Sequence, residues 1–327
     1  MITLGIETTA HTFGVGIVTD KGEFLANVKD MITSEHGGII PAQAGEHHFN
    51  IWETVLNQAL DRAKITLSDV DLISFSQGPG IGNCLRVGAF VARALALTYK
   101  KPIIGVNHCI AHLSIGKVRT KTKDPVLLYT SGANMQVIAY EGKKYRIFGE
   151  TLDMGVGNFI DSVAREIGLG FPGGPKLEKL ALQGKNLIRL PYSIKGMDLS
   201  FGGLFTNVCQ KIKSKKYTNE DLAFSIQETV FAMLVEVAER AMAHTGKNEL
   251  LLGGGVACNT RLQKMCEIMC KERGAYVFVP EREYLVDNGA MIAWQGSIQY
   301  NKRRKQNISR TQIQPYWRTD EVKVDWI

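Results

Sequence analysis

The stretch "ITLGIETTAHTFGVGIVTDKGEFLANVKDMI", residues 2–32, decides the fold. It holds two apolar runs and a third, mixed run, each long enough to form a strand. Polar residues separate the first two runs, and the pair "KG" at 21–22 separates the second from the third. Runs of this length bounded by polar turns predict three strands, of which the last two are joined by a tight hairpin.

The same layout returns in "PVLLYTSGANMQVIAYEGKKYRIFGETLD", residues 125–153. Residue identity between the two stretches is slight, but strand, small polar turn, strand, hairpin and strand follow one another in the same order. We interpret this as an internal duplication of a three-strand unit. We therefore expect two α/β lobes, residues 1–120 and 121–327.

Helices and further strands follow each three-strand unit. Apolar periodicity and boundary signals predict strands over residues 71–77, 249–257 and just before 108, and helices over residues 41–63, 83–99, 158–167, 175–182 and 221–244 and from 259 onwards. Two α/β lobes that each open with hairpins resemble the architecture of actin, hexokinase and Hsp70. That resemblance implies lobes facing across a cleft, in which small turns between strands surround the phosphates of a nucleotide.

Three glycine-rich turns are candidates for such contacts: "TSGAN" (130–134), "FPGGP" (171–175) and "GGGVACN" (253–259). Backbone N–H groups in a glycine-rich turn or at a helix N-terminus point at an anion with no side chain in the way. Any one of these turns is equally well explained as ordinary turn chemistry. We place all three at strand-to-helix junctions, and together they favour a nucleotide site.

The segment "VNHCIAH", residues 106–112, carries two histidines four positions apart after an apolar run. If a helix begins near Asn107, His108 and His112 lie on one face and both rings can reach a single ion. Zinc and iron both accept neutral imidazole. The alternative is two partly buried histidines bonded to backbone, and the spacing alone does not choose between them.

Composition sets the class of protein. The chain has 327 residues, 45% of them apolar, and contains neither an apolar run of about 18 residues nor a basic start with a cleavage-like end. Its six cysteines are scattered without a C-x-x-C pair, which is typical of reduced thiols; Cys266 and Cys270 share a helical face, but no second pair accompanies them as zinc ligands. We expect a cytoplasmic protein with no membrane partner.

Basic residues exceed acidic ones by 39 to 32, which gives a net charge of +7. They cluster in "KVRTKTK" (117–123), "KIKSKKY" (211–217) and "NKRRK" (301–305). Such clusters are either solvated faces or contacts to the phosphates of a nucleic acid, and charge does not decide which.

Seven ordered motifs carry a specific resemblance. They are "SQGPGIGNCLRVG", "NHCIAH", "YTSGANMQV", "FGETLDMGVGNFIDSVAREIGLGFPGGP", "KGMDLSFGGL", "GGGVACNTRL" and "DNGAMIAW". Together they resemble the universal tRNA N6-threonylcarbamoyladenosine synthase family, in its archaeal and eukaryotic branch, the catalytic subunit of the KEOPS complex. The resemblance runs over effectively the whole chain.

The resemblance implies one divalent metal, Fe²⁺ or Zn²⁺, held by His108, His112, Tyr129 and Asp287. It also implies an adenine nucleotide site, for threonylcarbamoyl-AMP as substrate and ATP or AMP as ligand. The residues that match the family's nucleotide contacts are Tyr129, Thr130, Ser131, Gly132, Ala133, Asp161, Gly174, Glu178 and Asn259. Carboxylates such as Asp161 and Glu178 suit ribose hydroxyls, and Gly174 allows the backbone to approach adenosine.

The implied reaction moves a threonylcarbamoyl group from a mixed anhydride with AMP to N6 of the adenosine 3′ of the anticodon, in tRNAs that read codons beginning with A. No residue of the chain is assigned as a nucleophile. The implied partners are tRNA and the KEOPS subunits: a small dimerising protein, a kinase-like ATPase and accessory proteins. The helix over 41–63 is a candidate docking element for the small subunit, although an apolar stripe of this kind usually packs on its own sheet.

This chain departs from the usual motifs at four positions. Ala133 replaces a glycine and would cost roughly 1 kcal/mol if the site needs positive φ. Met135 replaces a threonine and Gly202 a serine, and Thr8 stands where the branch more often has glycine. These changes bear on the geometry of phosphate binding.

Three other classes of protein share some of these features. A sugar kinase or ATPase would need an acidic Mg²⁺ ligand and not the histidine pair. A metallopeptidase would need a glutamate general base after the first histidine, where this chain has Cys109. A scaffold inside a multisubunit complex would show no turnover even with its partners present.

Overall fold

The computed structural model describes residues 1–33, 39–302 and 306–327. Contacts divide the chain into two compact units. The first contains Met1–Ile32, Ile39–Lys121 and Val286–Ile327, and the second is built on Thr122–Leu285. The change of unit after Lys121 lies beside the expected boundary, but residues 286–327, which we assigned to the second lobe, pack with the first unit.

Twelve strands occur in the part of the chain that the structure describes. In chain order they are β1 Ile2–Glu7, β2 Thr12–Thr19, β3 Phe24–Met31, β4 Leu72–Gly78, β5 Ile103–Asn107, β6 Val126–Thr130, β7 Met135–Glu141, β8 Lys144–Glu150, β9 Ile194–Lys195, β10 Asp198–Leu199, β11 Glu249–Gly253 and β12 Tyr276–Phe278.

Each unit contains one five-stranded sheet of the same topology. The order is β3-β2-β1-β4-β5 in the first unit and β8-β7-β6-β11-β12 in the second. In both, the middle strand pairs antiparallel with the second strand of its hairpin unit and parallel with a later strand. The predicted duplication is thus confirmed, and it extends from three strands to five. The pair β9-β10 forms a separate hairpin.

Ten α-helices occur among the described residues. They are α1 Pro41–Ala63, α2 Gly82–Thr98, α3 His108–Thr120, α4 Val156–Glu166, α5 Gly174–Ala181, α6 Gly202–Ser214, α7 Asn219–Thr245, α8 Thr260–Glu272, α9 Arg282–Leu285 and α10 Gly289–Asn301. The predicted helix over 41–63 matches α1 at both ends, and the other predicted helices lie within about two residues of observed ones. The predicted strand over 249–257 ends at Gly253, and residues Gly255–Cys258 form a 3-10 helix.

Local chemistry explains the ends of the long helices. Proline at the first position of α1 needs no N–H partner, and the helix ends where Lys64 adopts φ 55°. Helix α7 begins where the Thr218 side chain accepts a hydrogen bond from the N–H of Asp221, and it ends at Gly246 with φ 69°. Helix α7 then supplies the centre of the core of the second unit with a row of buried residues that includes Val230, Leu234 and Val237.

The apolar stripe of α1 faces the sheet of its own unit. Val55, Leu56 and Ala59 are buried in the core of the first unit. Phe49, by contrast, points away from that core and is 56% exposed. Most of the stripe is therefore core, and Phe49 is an outward member. No helix among the described residues has the length and apolar character needed to cross a membrane.

Helix α10 lies directly against the sheet of the first unit because glycines remove the side chains between them. A Cβ on Gly16 would lie 2.1 Å from the backbone nitrogen of Ala290. A Cβ on Gly289 would lie 2.2 Å from the nitrogen of Gly16, and one on Gly5 2.2 Å from the nitrogen of Ala293. This contact is why residues after 286 belong to the first unit.

We expect Gly16→Ala to lower the free energy of unfolding by about 1–3 kcal/mol or more, because overpacking forces backbone to move. Gly203→Ala on the exposed face of α6, where an added Cβ meets nothing within 4 Å, is the matched control and should be neutral or slightly stabilising. Guanidinium unfolding measures both variants. Equal stability of the two would contradict the close helix-to-sheet contact.

Candidate metal centre and nucleotide-binding residues

The two histidines lie at the start of α3, in the first unit. Asn107 caps this helix, because its side-chain oxygen accepts hydrogen bonds from the N–H groups of Cys109 (3.0 Å) and Ile110 (3.2 Å). His108 and His112 then lie one turn apart on the same face, with ring centroids 4.8 Å apart and ring planes nearly perpendicular. Both rings are buried.

Asp287 joins them from a different part of the chain. It precedes Asn288, which caps α10 by accepting a hydrogen bond from the N–H of Met291 at 2.9 Å. One carboxylate oxygen, Oδ1 of Asp287, lies 3.4 Å from Nε2 of His108 and 3.3 Å from Nε2 of His112. The possible ligand atoms of the three residues all lie within 4.8 Å of one another.

This donor set fits a divalent zinc or iron ion. Two ligand atoms about 2.1 Å from one ion at the tetrahedral angle are about 3.4 Å apart, close to the observed separations. Burial lowers the pKa of His112, so its imidazole is neutral at neutral pH and keeps a lone pair. Burial opposes ionisation of Asp287, but the neighbouring His108 and His112 hold the pKa of Asp287 well below its usual range. Two imidazoles and an anionic carboxylate are a suitable ligand set.

Two further residues named in the sequence analysis are Tyr129 and Cys109. Tyr129 lies at the end of β6 in the second unit, with 2% of its surface exposed, and its role as a fourth ligand stays a prediction. Cys109 follows the first histidine and is 1% exposed, and burial raises the pKa of its thiol. A buried, protonated thiol cannot act as the general base of a metallopeptidase.

In the second unit, the turn after β6 is packed against the start of α4. The N–H of Gly157 donates to the carbonyl of Ser131 (3.0 Å), and the N–H of Asn158 donates to the carbonyl of Gly132 (2.8 Å). Glycine is needed at Gly155, because a Cβ there would lie 2.3 Å from the carbonyl oxygen of Gly132. The first N–H groups of α4 are thus used by the turn itself.

Ala133 fits this turn without strain. Within the described ranges, every non-glycine residue with positive φ is a lysine, so Ala133 does not adopt the conformation that favours glycine. The turn is closed instead by Ser131 and Asn134: the N–H of Ser131 donates to the carbonyl of Asn134 at 2.8 Å, and the N–H of Asn134 donates to Oγ of Ser131 at 3.2 Å. The methyl group of Ala133 therefore adds bulk but no backbone cost.

The remaining predicted nucleotide residues are linked through α5. The N–H of Gly173, beside Gly174, donates to Oδ1 of Asp161 at 2.7 Å. Glu178 on α5 accepts two hydrogen bonds at Oε1, both 2.8 Å, from the N–H and the hydroxyl of Thr260 at the start of α8. Asn259 caps α8 by accepting from the N–H of Arg261 at 2.9 Å.

The structure places two of the candidate turns, 130–134 and 253–259, at the C-terminal ends of adjacent parallel strands. Thr130 ends β6 and Gly253 ends β11, and the hydroxyl of Thr130 donates to the carbonyl of Gly253 at 3.3 Å. This is the edge at which open α/β sheets bind ligands. Our placement of all three glycine-rich turns at strand-to-helix junctions was wrong for two: residues 130–134 connect two strands, and residues 171–175 connect two helices.

Sequence reasoning missed a carboxylate contact that bears on the departure at Gly202. Asp153, after β8, accepts hydrogen bonds from the N–H groups of Phe201 (2.9 Å) and Gly202 (2.7 Å) at the start of α6. Burial opposes ionisation of Asp153, but these backbone donors lower its pKa. A Cβ on Gly202 would lie 3.0 Å from Oδ2 of Asp153, so a serine at that position would crowd the carboxylate. The position of Asp153 just after a predicted strand was the available signal.

Comparisons with known proteins agree with the motifs. The family model described as TsaD, tRNA N6-adenosine threonylcarbamoyltransferase, matches residues 23–294. The chain is 58% identical over 326 residues to the tRNA N6-adenosine threonylcarbamoyltransferase of Thermococcus kodakarensis, and the match covers 100% of both proteins. It is 50% identical to a "probable bifunctional tRNA threonylcarbamoyladenosine biosynthesis protein" of Methanocaldococcus jannaschii, covering 100% of this chain and 61% of that one.

A solved structure confirms the fold class. The chain is similar to HypF of T. kodakarensis with a TM-score of 0.67 and 15% identity, over 92% of this chain and 48% of that one. At this identity the likeness concerns the fold alone. It agrees with the predicted actin, hexokinase and Hsp70 class.

Proposed function

The chain belongs to the tRNA N6-adenosine threonylcarbamoyltransferase family, and from that premise we propose that it transfers a threonylcarbamoyl group from threonylcarbamoyl-AMP to tRNA. The acceptor is N6 of the adenosine 3′ of the anticodon in tRNAs that read codons beginning with A. The observation that carries this proposal is the convergence of His108, His112 and Asp287 in a chain that matches such an enzyme along its full length.

We assign the threonylcarbamoyl end of the substrate to the metal centre, with His108, His112 and Asp287 as ligands and Tyr129 as the further ligand. When bound, Fe²⁺ or Zn²⁺ would supply a Lewis acid that polarises the carbonyl of the transferred group. The buried positions of His108 and His112 would keep water away from the reacting carbonyl.

We assign the adenosine end to the second unit. The turn from Tyr129 to Ala133 offers backbone groups to the phosphate, and Gly174 allows close approach of the backbone. Glu178 uses Oε1 to hold the start of α8, and we assign its other oxygen as the acceptor for a ribose hydroxyl. Asp161 and Asn259 complete the set, and ATP or AMP is the ligand expected when substrate is absent.

The chemistry is acyl transfer by positioning. The N6 lone pair of adenosine attacks the carbamoyl carbon, the bond from that carbon to the phosphate oxygen breaks, N6 gives up a proton, and AMP leaves as a stabilised anion. The two reactants are held in one orientation, which removes most of the entropic cost of their meeting. No covalent enzyme intermediate is required.

Basic surface suits the tRNA partner. Lys213, Lys215 and Lys216 are exposed at the end of α6 and just after it, and the Lys211 ammonium lies 5.1 Å from the centre of the Tyr217 ring. A second cluster, residues 117–123, begins on α3, and the third, 301–305, lies partly outside the described residues. Six free cysteines and a tRNA substrate both fit a protein of the cytoplasm, and we propose that location.

Exposed apolar residues on α1 and α2 suit a protein partner. Phe49 is 56% exposed, Phe90 57% and Leu97 66%, all in the first unit. Helices α1 and α2 pack on each other, and exposed apolar side chains on such helices are candidates for a protein interface. We propose that this face docks the small dimerising subunit of the KEOPS complex, and that the kinase-like ATPase and accessory subunits join the same assembly.

We expect His108→Ala and Asp287→Ala to lose the bound metal and threonylcarbamoylation of tRNA together, because each removes a ligand, while circular dichroism shows the fold intact. The measurements are metal analysis after anaerobic purification and nucleoside chromatography of tRNA incubated with threonylcarbamoyl-AMP and the partner subunits. His47→Ala, which alters a partly buried histidine paired with Asp30, is the control and should keep both. Full activity in a metal-free double variant would contradict the proposal.

We expect Lys215→Gln combined with Lys216→Gln to weaken tRNA binding and to reduce its salt dependence by about one unit of slope per lost phosphate contact. Filter binding at several salt concentrations measures both effects. The matched control replaces Lys143 and Lys144, an adjacent pair in the hairpin between β7 and β8, and should bind tRNA normally. An unchanged salt dependence of tRNA binding in the first variant would show that Lys215 and Lys216 lie on a solvated face and do not contact tRNA.

We expect Phe49→Ser combined with Phe90→Ser to abolish the binary complex with the small subunit, because both remove outward apolar contacts. Gel filtration of the mixed proteins measures the complex, and adenine-nucleotide binding should be unchanged. Ile268→Ser on α8, at a residue that is 49% exposed, is the control. If the double variant still forms the complex, the docking surface lies elsewhere.

A further inference from the structure

Glu7 is a carboxylate with no exposed surface at the end of β1, in the first unit. Both of its oxygens are occupied. Oε1 accepts hydrogen bonds from the N–H of Thr9 at 2.6 Å and from the hydroxyl of Thr9 at 2.5 Å. Oε2 lies 3.0 Å from Nδ1 of His108. Burying a carboxylate completely is costly, so its arrangement calls for a physical reason.

The contact with Glu7 decides which nitrogen of His108 carries the proton. An ionised carboxylate only accepts hydrogen bonds, so the nitrogen facing it must donate. Nδ1 of His108 therefore bears the hydrogen, and Thr9 Oγ1, 3.3 Å from the same nitrogen, can accept a share of it. In the neutral ring the other nitrogen, Nε2, is then left with its lone pair.

Nε2 of His108 lies on the side of the ring that faces Asp287. It is 3.4 Å from Oδ1 of Asp287, a separation close to that of two ligand atoms on one tetrahedral ion. The contact between Glu7 and Nδ1 therefore holds the ring with Nε2 toward the candidate metal position.

We propose that Glu7 is a positioning residue of the metal centre: through Nδ1 it holds the His108 ring in the tautomer and orientation that present Nε2 to the ion. The inference rests on the metal centre of the proposed function and adds a residue outside its ligand set. Metal-ligating histidines commonly donate their second N–H to a carboxylate, which fixes the ring and raises its basicity. Thr9 fixes Glu7 in turn, so the turn after β1 supports the ligand.

The competing explanation is that Glu7 only anchors the turn after β1. Ser76 offers a matched comparison, because its hydroxyl accepts a hydrogen bond from the N–H of Thr8, in the same turn, at 3.0 Å. Ser76 is also fully buried. Removing its hydroxyl disturbs the turn without removing the partner of His108.

The variant Glu7→Gln keeps the size of the side chain. Its amide has one accepting oxygen and one donating nitrogen, whereas Thr9 and His108 both present donors. Glutamine can therefore satisfy one of them only. We expect Glu7→Gln to bind Zn²⁺ about 10- to 100-fold more weakly than the unaltered protein, the range typical for the loss of such a partner. Ser76→Ala should bind Zn²⁺ as tightly as the unaltered protein.

Zinc affinity is measured on the full chain by competition with a chromophoric chelator. Weaker binding in Glu7→Gln alone supports the inference. Unchanged binding in Glu7→Gln, or an equal loss in both variants, would overturn the role of Glu7 and leave the metal centre standing. Failure of the unaltered protein to bind Zn²⁺ or Fe²⁺ would overturn the centre and the role of Glu7 together.

A second measurement needs no variant. Two-bond ¹⁵N correlation spectra of the Zn²⁺-loaded protein, with the His108 signals assigned, report which ring nitrogen carries hydrogen. We expect the Nδ1–H tautomer at His108 and the same tautomer in Ser76→Ala. The Nε2–H tautomer in the unaltered protein would overturn the inference even if Glu7→Gln fails to fold.

Discussion

The candidate metal site depends on one contact, in which the backbone of helix α10 packs directly against the backbone of strands β1 and β2. With glycine at positions 5, 16 and 289, helix and sheet meet without side chains between them. That contact fixes the start of α10, and therefore Asp287 immediately before it. Helix α3 packs on α10 as well, and Ser114 of α3 donates a hydrogen bond to Gln295 of α10. Two helices held in this way bring an aspartate from late in the sequence to two histidines from its first half.

Much of the fold was predictable because it depends on local patterns. The hairpin units, the helix over 41–63 and the duplicated order all follow from apolar runs and turns in consecutive residues. Helix α10 was not predicted, because it is buried on nearly all sides and has no amphipathic period to detect. The glycines that let it approach the sheet are visible in the sequence, but their partners are not. The placement of residues 286–327 was therefore missed.

The residues of the candidate site likewise fall into those that the sequence predicted and those that it did not. Spacing within one helix indicated His108 and His112 as a pair, and the family resemblance supplied Asp287, which the structure brings beside them. Glu7 and Asp153 were missed because each acts through a partner distant in sequence. Asp161, Glu178 and Asn259 each hold the start of a helix by hydrogen bonds. Loss of activity on changing one of these three residues would therefore report helix anchoring as well as any contact with nucleotide.

The discontinuous first unit has a consequence for synthesis on the ribosome. Strands β1 to β5 leave the exit tunnel early, but the face of the sheet that α10 covers stays exposed until residues near 301 have emerged. The second unit, whose segment Thr122–Leu285 is continuous, can complete its core before then. The two histidines thus remain without the neighbouring aspartate through most of translation, and the three-residue cluster is complete only at the last stage of chain growth or later.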